Sequence, residues 1–334
     1  MFFIFSDVFQ SEFWMQSQGL RSAKLRDLAS SLSEVILAAK ADSTNEKYSR
    51  AWRAWKNWER ENLGSNTFPV SPFVFCLYLR DKFESCRSPA PIEVAVYGVR
   101  WAHNLAGVAS PTDHLLVKQF LEGSRRLLGK PVCGKKPLEL EVITAIGNKL
   151  NVAGASLSDI RTCFIFFIGF SGLLRCDEIV RLTRGDVSIY PSYMSINCRR
   201  RKNDQYSRGH NVLIERSGKV TCPVAITEKL FVQLPVNADQ PLLCRLKANG
   251  TALSQAISYT RVREIFRETI SGFVDDPSSY GTHILRKGGA CAAHNAGVSG
   301  DSLDKFAGWK SDRSKLSYIS DKNEKLKVSR AINL

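Results

Sequence analysis

An α+β fold is predicted: an all-helical first half, a short basic linker, then a second, mostly helical domain with a small antiparallel sheet. Three observations carry it. Residues from about 21 to 128 read as helices only, with apolar side chains recurring at three- and four-residue steps. The stretch Gly129–Pro137 packs two prolines, two glycines and three lysines into nine residues, the composition of an extended, exposed linker. Beyond it, runs of β-branched and aromatic residues bounded by turn residues alternate with helical stretches.

The elements follow in order. Met1–Phe5 is apolar but short, lacks a basic flank and is interrupted by Asp7, so residues 1–20 are expected to be a loose terminal segment. Ser43 and Glu46 have capping-box spacing. Tyr48, Ala51, Trp52 and Trp55 then line one helix face. Ser71-Pro72 predicts a second helix start, with Ser at the cap and Pro at the first position; Phe75, Leu79 and Phe83 follow. A third helix is expected over about 92–105, and Ser110-Pro111 opens a fourth carrying Leu115, Leu116 and Phe120. The aromatic stripe is assigned to core packing rather than to base stacking. After the linker, helices are expected at about 139–150, 157–171 and 177–183, and strands at 187–190, 193–198 and 210–214. Helices resume at about 254–270, 284–296, 300–307 and 322–332. The domain limits are therefore 1–20, 21–128, 129–137 and 138–334.

The charge balance is informative. Lys+Arg number 47 against 32 Asp+Glu, a net charge of +15 over 334 residues. An excess of that size faces a polyanion, nucleic acid or an anionic membrane. The apolar run Phe164–Phe170 is too short to span a bilayer, so nucleic acid is the expected partner and no membrane is. The nine cysteines are scattered, odd in number and without a C-x-x-C pair, which reads as reduced, buried thiols in an intracellular protein. The compartment would be the nucleus in a eukaryote and the cytoplasm in a prokaryote. Cys291 and His294 lack a second ligand pair, so no metal site is expected. Gly308-Trp-Lys-Ser lacks Walker spacing and no G-x-G-x-x-G occurs, which excludes a nucleotide-binding ATPase.

Three segments carry chemistry together: Gly172-Leu-Leu-Arg175-Cys-Asp-Glu178, Thr282-His283-Ile-Leu-Arg286, and Gly308-Trp309 followed by Tyr318. Singly, each has a plain explanation. Arg175 could pair with Glu178 one turn on, and Trp309 could be core. Jointly they resemble the tyrosine recombinase family, whose marks are an L-L-R-x-x-E box, an H-x-x-R box, a G-H or G-W step, and a tyrosine nine residues later. Here Arg286 and Trp309 are twenty-three apart, Trp309 and Tyr318 nine apart, and Asp186 falls eleven after Arg175. The resemblance covers about 135–334 and extends more weakly to the helical half. It leans toward integrase-like proteins of eukaryotic mobile elements.

The resemblance implies a core-binding domain, a catalytic domain, and strand cleavage through a 3′-phosphotyrosyl intermediate, without metal or other cofactor. Tyr318 would be the nucleophile. Arg175 and Arg286 would clamp the scissile phosphate, because guanidinium stays charged and matches phosphate geometry. His283 would be the general acid/base. Trp309 stands where many relatives carry histidine, and its indole N–H can donate but not take a proton. The family supplies a lysine from a β-hairpin to protonate the leaving 5′ oxygen. Lys202 is the candidate and Lys219 the reserve. Arg199, Arg200 and Arg201, with Lys130, Lys135 and Lys136 of the linker, are assigned to DNA backbone contact. The implied assembly is a homotetramer on two double-stranded DNA sites. Two alternatives stay open: a catalytically silent, domesticated DNA-binding protein, and a type IB topoisomerase-like strand cutter.

Overall fold

A computed structural model describes residues 6–64, 68–130, 136–199, 201 and 209–309. The chain divides into two compact units, Met1–Val132 and Cys133–Leu334.

The described residues of the first unit are helical or irregular. Its helices are α1 (Ser6–Phe9), α2 (Glu12–Met15), α3 (Ala23–Leu37), α4 (Asp42–Leu63), α5 (Pro72–Ser85), α6 (Ala90–Ala106) and α7 (Leu115–Leu128). The periodic apolar faces meet in one core: Trp52, Trp55, Phe75, Leu79 and Val99 are buried. Trp55 makes edge contacts with Phe75 and Tyr78 at ring separations of 5.5 and 5.2 Å. α4 and α6 lie close because Gly98 has no side chain; an added Cβ would sit 2.5 Å from that of Ala51.

Three local expectations are corrected in this unit. Residues 6–19 are not loose. Val8 is buried, the Ser11 hydroxyl donates to the Ala106 carbonyl (2.6 Å) and the Trp14 indole N–H to the Leu105 carbonyl (2.8 Å). The last carbonyls of a helix have no partner within it, and this segment supplies donors to the end of α6. The Ser43–Glu46 capping box does not form. α4 begins at Asp42 with Ala41 as its uncapped N-terminus, and Glu46 pairs with Arg50 at 3.2 Å. Ser110 caps only a 3-10 turn over Pro111–Asp113; α7 starts at Leu115 behind His114. Leu115 and Leu116 stay exposed, and the buried face of α7 begins at Val117.

The second unit is built around α9 (Leu157–Ser171), apolar on nearly every side, with Phe164, Phe166, Phe167 and Ile168 fully buried. A helix hydrophobic all round is a core helix. Ser156 caps it, accepting from the Asp159 N–H. Around it pack α8 (Leu140–Leu150), α10 (Cys176–Val180), α11 (Pro223–Gln233), α12 (Tyr259–Ile270) and α13 (His283–Asn295), followed by α14 (Gly300–Ala307). Strands β1 (Val187–Ile189), β2 (Tyr193–Cys198) and β3 (His210–Glu215) form an antiparallel sheet in that order. In register, Cys198 faces His210 and Tyr193 faces Glu215.

A second, two-stranded sheet, β4 (Cys244–Leu246) with β5 (Ala252–Ala256), was not foreseen, nor was α11. The helix expected over 254–270 begins only at Tyr259, where the Ser258 hydroxyl caps the Arg261 N–H. The residues before it are paired as strand, which spares them from helix. The helix expected over 177–183 runs only from Cys176 to Val180. The tail helix expected at 322–332 lies outside the described residues. No helix among the described residues is long and apolar enough to cross a membrane.

Candidate active site

The arginine box occupies the turn that ends α9. Leu173 takes a left-handed backbone (φ 48°), which costs a non-glycine residue about 1–2 kcal/mol. Strain of this kind persists where surrounding structure holds it. Here the Leu173 side chain is buried beside Ala290, Leu303, Ala307 and Trp309, and its carbonyl accepts from Arg286 Nη1. Arg175 then opens α10. Its backbone N–H donates to Glu178 Oε2 (2.9 Å) and its Nη1 to Glu178 Oε1 (2.8 Å). The plain pairing one turn apart is thus present and orients the guanidinium, whose side chain is 11% exposed.

Arg286 projects from α13 into the same turn. It is fully buried and ties two loops together: Nη1 donates to the Leu173 carbonyl and Nη2 to the Ala307 carbonyl at 2.8 Å. Its guanidinium carbon stands 5.2 Å from the centre of the Trp309 ring, within cation–π range. Two glycines make this depth possible. An added Cβ at Gly288 would fall 2.2 Å from the Leu138 carbonyl oxygen, and one at Gly289 only 2.0 Å from that of Phe170. His283, exposed, is the first residue of α13, one turn before Arg286.

The β2–β3 hairpin meets the Gly308-Trp309 step from a third direction. Arg201, three residues past β2, is buried and not solvated as the basic run suggested. Its Nε donates to Glu178 Oε1 (3.1 Å) and its Nη2 reaches Oε2 (3.5 Å). Gly308, itself left-handed (φ 64°), lies so close that an added Cβ would sit 2.3 Å from Arg201 Nη1. At the start of β3, His210 Nε2 lies 2.9 Å from the Phe306 carbonyl oxygen, so that nitrogen carries the proton.

Glu178 stands at the centre. Burial pushes its carboxyl up; the Arg201 charge, the Arg175 N–H and the Arg175 charge outweigh that and hold it below the usual carboxylate range. Next to it, Asp186 caps the turn at Thr183, accepting from the Thr183 N–H at 2.9 Å and hydroxyl at 2.8 Å, and pairs with Arg199. Burial pushes the nearby Cys198 thiol to about 12.

Arg175, Arg286 and Trp309 are therefore brought together, and His283 opens the helix that carries Arg286. Tyr318, Lys202, Arg200 and Lys135 lie outside the described residues. Lys130 and Lys136 are exposed, as is Arg199 at 62% of its side chain. Lys219 lies beyond the Glu215 end of β3, whereas the site adjoins the His210 end, five residues from Glu215 at about 3.3 Å each. Among the described residues no cluster of three or more His, Cys, Asp or Glu side chains is placed to hold a metal ion. Sequence reading missed His210 and the strained Leu173, and it gave Arg201 to DNA backbone contact rather than to Glu178. An arginine within a basic run carries no periodic signal that separates a buried partner from a solvated one; the acid at Glu178 was the available hint.

No protein-family model matches the chain. It is 22% identical over 289 residues to an integrase/recombinase XerD homolog from Selenomonas ruminantium, covering 85% of this chain and 83% of that one. Among solved structures, XerH site-specific recombinase bound to its difH substrate in a post-cleavage complex is similar at TM-score 0.58 and 14% identity, over 85% of this chain and 77% of that one. The Tn1549 transposon integrase in complex with circular intermediate DNA gives 0.56 at 16% identity, over 87% and 94%. A lambda integrase dimer bound to a COC′ core site gives 0.54 at 13% identity, over 87% and 75%. The chain has the mostly helical, small-sheet fold of the tyrosine recombinases and resembles that family in sequence.

Proposed function

We propose that this protein is a tyrosine-type DNA recombinase or integrase that cuts and rejoins DNA through a 3′-phosphotyrosyl intermediate, without metal. One observation carries the reading: Arg175, Arg286 and Trp309, distant in sequence, converge on one turn around Leu173. Preorganised positive charge of this kind is usually the largest contribution to catalysis of phosphoryl transfer, several kcal/mol. Arg175 is the phosphate clamp. Arg286 locks the turn and lends its charge from within. Trp309 offers an indole N–H, and His283 serves as acid/base. Tyr318 attacks phosphorus: its proton passes to His283 and its oxygen forms the new P–O bond as the P–O5′ bond breaks and the 5′ oxygen departs with a proton from Lys202. The β2–β3 hairpin leaves its strands at the end adjoining Gly308, which favours Lys202 over Lys219 for that task. DNA is the partner, and strand exchange calls for four protomers on two sites.

The test is a covalent adduct on a nicked suicide duplex bearing a sequence that the protein itself selects from a randomised pool. The adduct should form in EDTA. Tyr318→Phe should abolish it while DNA binding stays within a few-fold. An adduct from the Phe variant, or a strict magnesium requirement for cutting, would overturn the proposal.

A further inference from the structure

Arg175 cannot act as a phosphate clamp if its charge is already spent. Its guanidinium lies 2.8 Å from Glu178, a carboxylate whose side chain is 2% exposed. A buried, unshared Arg–Glu pair is close to neutral and would meet an incoming phosphate with little net attraction. The pair is not unshared. Arg201, its side chain 5% exposed, makes a two-pronged approach to the same carboxylate, Nε to Oε1 and Nη2 to Oε2. Two guanidiniums stand against one carboxylate.

We infer that Arg201 is a positioning residue of the cleavage reaction: it takes up the charge of Glu178, so that Arg175 stays oriented by that carboxylate yet keeps its positive charge for the scissile phosphate. The inference rests on the recombinase reading above and assigns Arg201 a task different from DNA backbone contact. The packing supports it. Arg201 is held over Gly308, where even a methyl group would collide with its Nη1. Glu178 in turn fixes Arg175 at two points, the backbone N–H and Nη1. Among the forces that hold the Glu178 carboxyl ionised against its burial, the charge of Arg201 ranks ahead of that of Arg175. Both guanidiniums thus bear on the one carboxylate, Arg175 Nη1 at 2.8 Å and Arg201 Nε at 3.1 Å.

The charge argument makes a prediction that mere structural support does not. Removing Arg201 should leave Glu178 to neutralise Arg175, and removing the Glu178 charge as well should release Arg175 again. The experiment compares the full chain with Arg201→Met, Arg201→Lys and the double variant Arg201→Met/Glu178→Gln. It measures single-turnover adduct formation at saturating protein on the nicked suicide duplex, and DNA affinity as a function of salt. Arg201→Met should slow cleavage by roughly 10–100-fold, the usual effect of losing a partner that orients a site ligand, with affinity within a few-fold of the unmodified protein. Arg201→Lys keeps the charge but not the fork, and should fall between. The double variant should recover most of the lost rate, and Arg201→Lys, which keeps a cation beside Glu178, remains informative if Arg201→Met folds poorly. A double variant no faster than Arg201→Met reduces Arg201 to structural support and overturns the inference. So does an unchanged cleavage rate in Arg201→Met, or weakened binding with the salt slope lowered by about one unit, the mark of a direct phosphate contact. If the unmodified chain forms no adduct, the recombinase reading fails first and takes this inference with it; an active chain with an indifferent Arg201 sinks the inference alone.

Discussion

A single methyl group at Gly289 tests how tightly α13 must approach α9 for the site to form. The ideal Cβ would stand 2.0 Å from the Phe170 carbonyl oxygen and 2.6 Å from Leu173 Cδ2. Carbon and carbonyl oxygen tolerate no less than about 3.3 Å, so α13 must back away by about 1.3 Å. The obstacle is backbone, and no rotamer relieves it. Overpacking of this kind costs about 3 kcal/mol at the upper end of its usual range. Alanine recovers about 1 kcal/mol through its better helix propensity. The net is a destabilisation of about 2 kcal/mol, equivalent to roughly 4–8 °C in Tm for a unit of this size. Because Arg286 lies three residues before Gly289 on the same helix, its bonds to the Leu173 and Ala307 carbonyls lengthen together, and adduct formation should fall with them. The assay is calorimetry of the full chain, with hydrogen exchange of the α9 and α13 amides to assign the transition that moves. Gly123→Ala in α7 is the control, since no atom lies within 4 Å of its added Cβ; it should gain up to about 1 kcal/mol. A Gly289→Ala protein stabilised like the control would refute the close approach of the two helices.

Two further outcomes follow from particular residues. His103 is fully buried, its Nε2 accepting from the Val70 N–H at 3.0 Å and its Nδ1 donating to the Val99 carbonyl at 2.8 Å; burial above all, and Lys56 to a lesser degree, hold its pKa below the ordinary value. The unfolded chain therefore takes up the proton first, and stability should fall as pH drops below about 6.5. The urea midpoint of the first unit, measured from pH 7.5 down to 5.5, should decline more steeply than that of His103→Leu; parallel declines would remove His103 from the account. Lys202→Ala should slow cleavage of the ordinary substrate by roughly 10²–10⁴, yet cut a duplex with sulfur at the 5′ bridging position almost as fast as the unmodified protein, because thiolate leaves without a proton. Arg175→Ala should stay slow on both substrates; an unrescued Lys202→Ala would move the acid elsewhere, with His283 next to be tried.

Much of this architecture was legible in the residues alone. Apolar periodicity marked α4, α5, α6 and α9, because each buries a stripe or a whole surface and that requirement is written locally. The strands of the first sheet were legible from β-branched residues between turn signals, and their observed limits differ by a residue or so. The three motif segments were visible because their spacing is a property of the chain. Where the linear pattern failed, a partner from elsewhere in the chain decided the outcome. Residues 6–19 order themselves on the open carbonyls of α6, a helix nearly a hundred residues away in sequence. β5 is strand because Cys244 pairs with Ala256, although the preceding sequence suits the helix that follows.

The site divides in the same way. Sequence alone singled out Arg175, Arg286 and Trp309 and offered the Arg175–Glu178 pairing as the plain alternative, since those residues lie within one turn of each other or at characteristic steps. Tertiary structure decided what surrounds them: that Arg286 is sealed between the Leu173 and Ala307 carbonyls, that Gly288 and Gly289 admit it, and that Arg201 leaves a basic run to bury itself on Glu178. The physical reason is that burial and charge compensation are properties of a place rather than of a residue. An arginine is the same side chain in water and against a buried carboxylate, and only the fold determines which of the two it meets.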